Sequence, residues 1–132
     1  MQDTTVNAIV DRLASFDAVV EIAVGHRTGI AAGLAERGVD VIATDIEDRP
    51  VPDPVSFVRD DVTEPDRSIY ADAGAIYGIN LPPELQRPTA RMAREVDAEF
   101  FFTTLGADPT AVPVVRETIP GGTLFRAKPE PI

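Results

Sequence analysis

The chain contains no cysteine and no tryptophan, a single histidine, His26, and a single lysine, Lys128, so eleven of its twelve cationic residues are arginines. Without cysteine there are no disulfides, no thiolate metal sites and no thiol nucleophile. No run approaches the ~18 apolar residues of a membrane span. The N-terminal segment MQDTTVNAIVDRLASF is acidic and amphipathic rather than a basic stretch leading into an apolar one, which argues against a signal peptide and for a cytoplasmic protein with no membrane partner. Internal repeats and low-complexity tracts are also missing. At 132 residues the chain fits one domain, residues 1–132, with little room for a separate substrate domain.

What it has in excess is acid: 22 Asp and Glu against 12 Lys and Arg, a formal net charge of −10. An acidic surface poor in lysine suits a cytoplasm at molar salt, where a Debye length of about 3 Å screens self-repulsion. The chain therefore reads as halophilic. A hydrophobic share of 44%, recurring in strand-like runs, argues for a folded chain rather than a disordered one. Phosphate attraction needs a basic face and weakens with salt, so nucleic acid is a poor first partner. The row Arg87, Arg91, Arg94 on one helical edge keeps RNA open, although such rows are most often solvated and paired with neighbouring acids.

The stretch from Val19 to Asp45 organises the rest. An apolar strand from Ala18 to Val24, interrupted only by Glu21, leads into a turn at Gly25, and a helix follows with Thr28 placed to cap it and Gly38 to end it. A second strand, Val39 to Ile46, carries Asp45 at its end, twenty positions after Gly25. That offset matches a nucleotide-binding βαβ unit, in which turn amides face a ligand and the acid holds ribose hydroxyls. A glutamate in a buried strand is costly unless amides or water meet it near the strand end, which singles out Glu21.

Before this unit, Val6, Ile9, Val10, Leu13 and Phe16 form the apolar stripe of a helix over Thr4 to Phe16. After it come a proline-broken loop, Glu47 to Pro54, and a third strand, Val55 to Arg59, followed by Asp60 and Asp61. The pattern further predicts a short helix over Ser68 to Ala73, a fourth strand ending at Asn80, and a helix through Leu85, Thr89, Met92, Ala93 and Val96 that Pro88 should kink or delay. A fifth strand is expected over Ala98 to Leu105, then about one helical turn from Asp108. Last come a β-hairpin turning at Pro120-Gly121-Gly122 and a frayed tail, KPEPI. Alternating strands and helices favour a parallel sheet covered on both faces, with Gly25, Asp45, Asp61 and Asn80 on one rim.

At these residues the chain resembles a Rossmann-type S-adenosylmethionine-dependent methyltransferase over roughly residues 18 to 127. The segments VRDDVT at Val58 to Thr63, Ile69-Tyr70 and Pro82 to Glu84 more narrowly resemble a small archaeal family, uncharacterised protein family 0146. The resemblance implies a three-layer α/β sheet, mostly parallel with a C-terminal antiparallel hairpin, and S-adenosylmethionine as cofactor. It implies that Glu21 opens the first motif with Gly25 as its central glycine, that Asp45 accepts the ribose hydroxyls, and that Asp61 lies near the adenine amino group. Asn80 falls where such enzymes place substrate-facing residues, which makes it the catalytic candidate. In the acid-x-Gly-x-Gly-x-Gly motif, however, Ala23 and Arg27 stand where the first and third glycines belong.

Three readings stay open. The first is a methyltransferase-like domain holding S-adenosylmethionine or a related adenosine ligand at Glu21, Gly25, Asp45 and Asp61. The second is a non-catalytic scaffold with a degenerate pocket, acting through a protein partner or as a homo-oligomer. The third is a nicotinamide dinucleotide site, for which Asp45 would serve equally well. His26 is either a base, a contact to a ligand carboxylate or simply a turn residue, and Tyr77 reads as core. No metal is expected, because Asp60 and Asp61 have no further ligand cluster beside them.

Overall fold

The computed structural model describes residues 1–129; the end of the expected frayed tail lies outside the described residues. Seven strands form one sheet in the order β3-β2-β1-β4-β5-β7-β6, from β1 (Ala18–Glu21), β2 (Asp40–Asp45), β3 (Ser56–Arg59), β4 (Ala75–Gly78), β5 (Glu99–Phe102), β6 (Val114–Ile119) and β7 (Gly122–Ala127). The first five strands run parallel, and β7 pairs antiparallel with both β5 and β6. Strand order reverses between β1 and β4, so the crevice of an open α/β sheet falls at the carboxyl ends of those two strands.

Helices α1 (Asp3–Leu13) and α2 (Gly29–Glu36) cover one face, and α3 (Pro83–Glu95) covers the other. Alternation along the strands builds the two cores. Val19, Val41, Tyr77 and Phe101 point towards Ile9, Leu13 and Leu34, while Val20, Ile76, Phe100 and Phe102 point towards Met92 and Ala93. The small face of α2 lets α1 come close, and a Cβ added at Gly33 would stand 2.9 Å from Val10 Cγ2. At the hairpin tip the Thr5 hydroxyl donates to Pro120 O at 2.6 Å, while Arg12 Nε donates to Glu117 Oε1 at 2.8 Å. These contacts dock the hairpin on α1.

Four local expectations are corrected. The first strand ends at Glu21 rather than Val24, because Ala23 turns into the left-handed region at φ +53°. The expected helix over Ser68 to Ala73 is a single 3₁₀ turn, Arg67–Ile69, whose cap Asp66 accepts from Ser68 N. Pro88 neither delays nor ends α3, which starts at Pro83 and runs through it. The amide that Pro88 lacks would have bonded the Glu84 carbonyl, and Glu84 is exposed, so water can take that acceptor. No helix forms between β5 and β6; that loop is tied instead to α3 by Gln86, whose side chain bonds Pro109 O and Ala111 N.

Candidate functional site: the carboxyl rim of the sheet

Parallel strands place their last residues on one rim, and the expected residues meet there. Glu21 ends β1 and is level with Ala43 of β2 and Tyr77 of β4; Asp45 ends β2, and Asp61 and Asn80 lie just beyond β3 and β4. Glu21 is 1% exposed, and the Tyr77 hydroxyl donates to its Oε1 at 2.7 Å. Burial pushes the Glu21 carboxyl up to about 8, against the opposing pull of the Tyr77 hydrogen bond and of the Arg27 charge. Desolvation and the neighbouring Glu21 in turn raise the Tyr77 hydroxyl well above its ordinary range. Burial thus favours the protonated form of Glu21, which lines a cavity of about 160 Å³ together with Arg27, Gly29, Ile30 and Ile79.

The turn after β1 explains how a loop lacking two glycines keeps its course. Ala23 holds the positive φ that a glycine would hold, and Gly25 follows at φ +57° with nothing within 4 Å of an added Cβ. The Gly25 amide donates to Asp45 Oδ2 at 2.9 Å, and the Glu47 amide donates to Oδ1 at 3.1 Å. A carboxylate accepts about four hydrogen bonds, so Asp45 keeps acceptor capacity beyond these two. Over it lies Arg49, with Nε 3.6 Å from Asp45 Oδ2 and Nη1 3.2 Å from His26 Nε2. An arginine only donates, so His26 Nε2 is the accepting nitrogen there. Arg49 Nε is buried without a hydrogen-bond partner among the described residues, a donor aimed beside the acid.

Asp60 and Asp61 take separate roles. Asp60 accepts from the Tyr70 hydroxyl at 2.6 Å and from the Asp66 amide at 3.1 Å, which makes it a brace. Asp61 is exposed, and its Oδ1 accepts from the Thr63 hydroxyl and amide at 2.7 and 2.9 Å, which hold its carboxyl below the usual range. Asn80 sits at φ +50° with its amide donating to Thr103 Oγ1 at 2.8 Å. With the side-chain amide oriented to suit its neighbours, its oxygen accepts from Arg27 Nη1 at 3.0 Å and Nη2 at 3.3 Å. Asn80 also lines a second cavity of about 370 Å³ with Thr103, Thr104 and the hairpin tip, and Met1 lines both cavities.

Arg49, Tyr77 and Thr103 are parts of the rim that the sequence pattern did not single out. Tyr77 meets Glu21 only through the β1–β4 register, and Arg49 reaches back over Asp45 from an irregular loop. Neither relation leaves a periodic trace in the sequence.

The strand order, the single antiparallel strand and the rim of strand-terminal acids define a methyltransferase-type Rossmann fold. An RNA methyltransferase from Salinibacter ruber in complex with S-adenosyl-L-homocysteine superposes with a TM-score of 0.66 at 15% identity, covering 100% of this chain and 95% of that one. A Burkholderia thailandensis 1,6-didemethyltoxoflavin-N1-methyltransferase, with bound 1,6-didemethyltoxoflavin and S-adenosylhomocysteine, superposes at 0.58 with 17% identity, over 95% and 62% of the two chains. The chain belongs to the Uncharacterised protein family UPF0146, whose family model matches residues 1–130. A relative in Halobacterium salinarum is 49% identical over 96% of this chain and 97% of its own length, and one in Archaeoglobus fulgidus is 40% identical over 68% and 69%.

Proposed function

We propose that the rim binds S-adenosylmethionine or a related adenosine ligand, with Asp45 accepting the ribose hydroxyls, Gly25 presenting the turn to the ligand, Glu21 facing its amino-acid end and Asp61 facing its base. The observation that carries the reading is the bond from Gly25 N to Asp45 Oδ2, which fixes the loop and the ribose-type acid as one unit while leaving lone pairs on the acid. The residues present suit such a group: a buried carboxyl lines one end of the site, and the loop backbone keeps the left-handed turns of the glycine motif. When bound, S-adenosylmethionine supplies an activated methyl group. Transfer from it calls chiefly for placement, and Asn80, which lines the second cavity and bonds Arg27 of the first, would orient an acceptor.

A second reading, a scaffold acting through a protein partner or a second copy, is favoured by one feature. Arg27 reaches Asn80, and Arg49 with His26 covers Asp45, so the chain's own side chains fill part of the crevice. Calorimetry in molar KCl with S-adenosylmethionine, S-adenosylhomocysteine and NAD separates the readings. The cofactor reading expects saturable heat with the first two ligands, lost in Asp45→Ala and strengthened in Arg27→Gly. No heat with any ligand on folded protein supports the scaffold, and heat with NAD alone supports the dinucleotide site.

A further inference from the structure

A cavity of about 410 Å³ lies between the second half of α3, the start of β5 and the end of β7. Because β5 begins there and the antiparallel β7 ends there, it opens at the amino ends of the parallel strands, opposite the rim described above. Its walls hold Arg87, Arg91, Arg94, Arg126 and Lys128, five of the chain's twelve cationic residues, and among the described residues only Asp97 and Glu99 as acids. Among the described residues the lining thus carries five cations against two acids, in a chain whose formal net charge is −10.

Two members of the cationic row depart from the paired, solvated face that the sequence pattern suggested. Among the described residues neither Arg87 nor Arg91 makes an ion pair, and Glu95, one turn beyond Arg91, pairs instead with Arg67 at 3.3 Å. Spaced by four and three along α3, the three arginines span about 10 Å of helix. Arg87 and Arg91, one turn apart, repel each other, and an anion between them relieves the repulsion. At molar salt only contact pairs survive screening, and the planar arginine fork makes such contacts with phosphate bidentately.

We propose that this groove binds a small sugar phosphate. The phosphate is held by Arg87 and Arg91, the hydroxyls by Asp97 and Glu99, and the carbon skeleton lies on the apolar floor of Ala90, Ala93 and Ala127. Charge segregation selects a compact anion over a long one: a nucleic acid strand leaving the groove would run onto a surface of strongly negative charge, and no exposed aromatic lines the groove for a base to stack on.

The test is a ¹⁵N NMR titration in molar KCl with ribose 5-phosphate, compared with ribose, inorganic phosphate and a single-stranded oligoribonucleotide. Saturable shifts confined to residues 87–99 and 126–129, absent near Gly25 and Asp45, are expected for ribose 5-phosphate. Arg91→Ala should weaken binding by roughly tenfold or more, the scale of one lost charge-assisted contact, and Arg91→Lys should fall between. Both substitutions are at an exposed position, and a well-dispersed spectrum checks that each variant is folded. Lack of saturation, binding indifferent to Arg87→Ala and Arg91→Ala, or inorganic phosphate binding as tightly as the ester would each overturn the assignment. So would tighter, Arg91-dependent binding of the oligoribonucleotide.

Discussion

A carboxyl group that folding moves out of water keeps its proton longer, and Glu21, raised by burial to about 8, couples the stability of the fold to pH. Between about 4.5, its unfolded value, and about 8 the native state holds a proton that the unfolded chain has released. The Glu21 contribution is therefore fully present below that window and is lost as pH rises through it, with a slope of up to about 1.4 kcal/mol per pH unit. Glu21→Gln keeps the shape and removes the titration. Denaturation measured across this range should show wild type losing stability relative to the variant, and parallel curves would contradict the assignment. Ala23 offers a second check at the same turn. Its left-handed backbone costs ~1–2 kcal/mol, partly offset by the extra unfolded-chain entropy a glycine would bring, so Ala23→Gly should stabilise by up to about 1 kcal/mol in urea titrations. Glu21 was legible in the sequence as the one charged residue within an apolar run, and Asp45 because it ends the next run, twenty positions after Gly25. The Tyr77 bond and the Arg49 cover were not, because both depend on which strands and loops become neighbours.

Among the elements, α3 shows how tertiary contacts override a local rule. A proline inside a helix costs ~3 kcal/mol in isolation, and the pattern around Pro88 predicted a kink or a late start. Buried Gln86, Thr89, Met92 and Ala93 instead hold the helix against the sheet, and the Thr89 hydroxyl donates to Leu85 O at 2.7 Å. Gln86 is fully buried and bonds Leu81 O, Pro109 O and Ala111 N, joining α3 to the loop after β5. Gln86→Ala should cost about 2–3 kcal/mol in denaturant unfolding, since it strands a part-buried amide and two carbonyls. Hydrogen exchange at Ala111 should quicken more than at residues of β1; uniform protection would mean that the loop is held by something else. The expected helical turn after Asp108 failed for a related reason. Gln86 supplies the partner that the Ala111 amide would otherwise have sought within a helix.

At the scale of the molecule, six parallel strands and one antiparallel strand carry an acidic rim at one end and a cationic groove at the other, on a body of net charge −10. Alternating strands and helices made the layered α/β class legible, whereas the order β3-β2-β1-β4-β5-β7-β6 is a global property that periodicity does not encode. Self-repulsion of 22 acids should make stability rise with salt, so thermal unfolding should shift upwards from tenth-molar to molar KCl, and a flat response would argue against a halophilic surface. The central claim, that the carboxyl rim is an adenosine site, is met most directly by a crystal structure grown from molar salt with S-adenosylhomocysteine. The account predicts ribose hydroxyls on Asp45, Arg49 displaced or bonded to the ligand through Nε, and the amino-acid end beside Glu21. A rim with Arg49 and His26 still closed over Asp45 and no ligand at saturating concentration would contradict it.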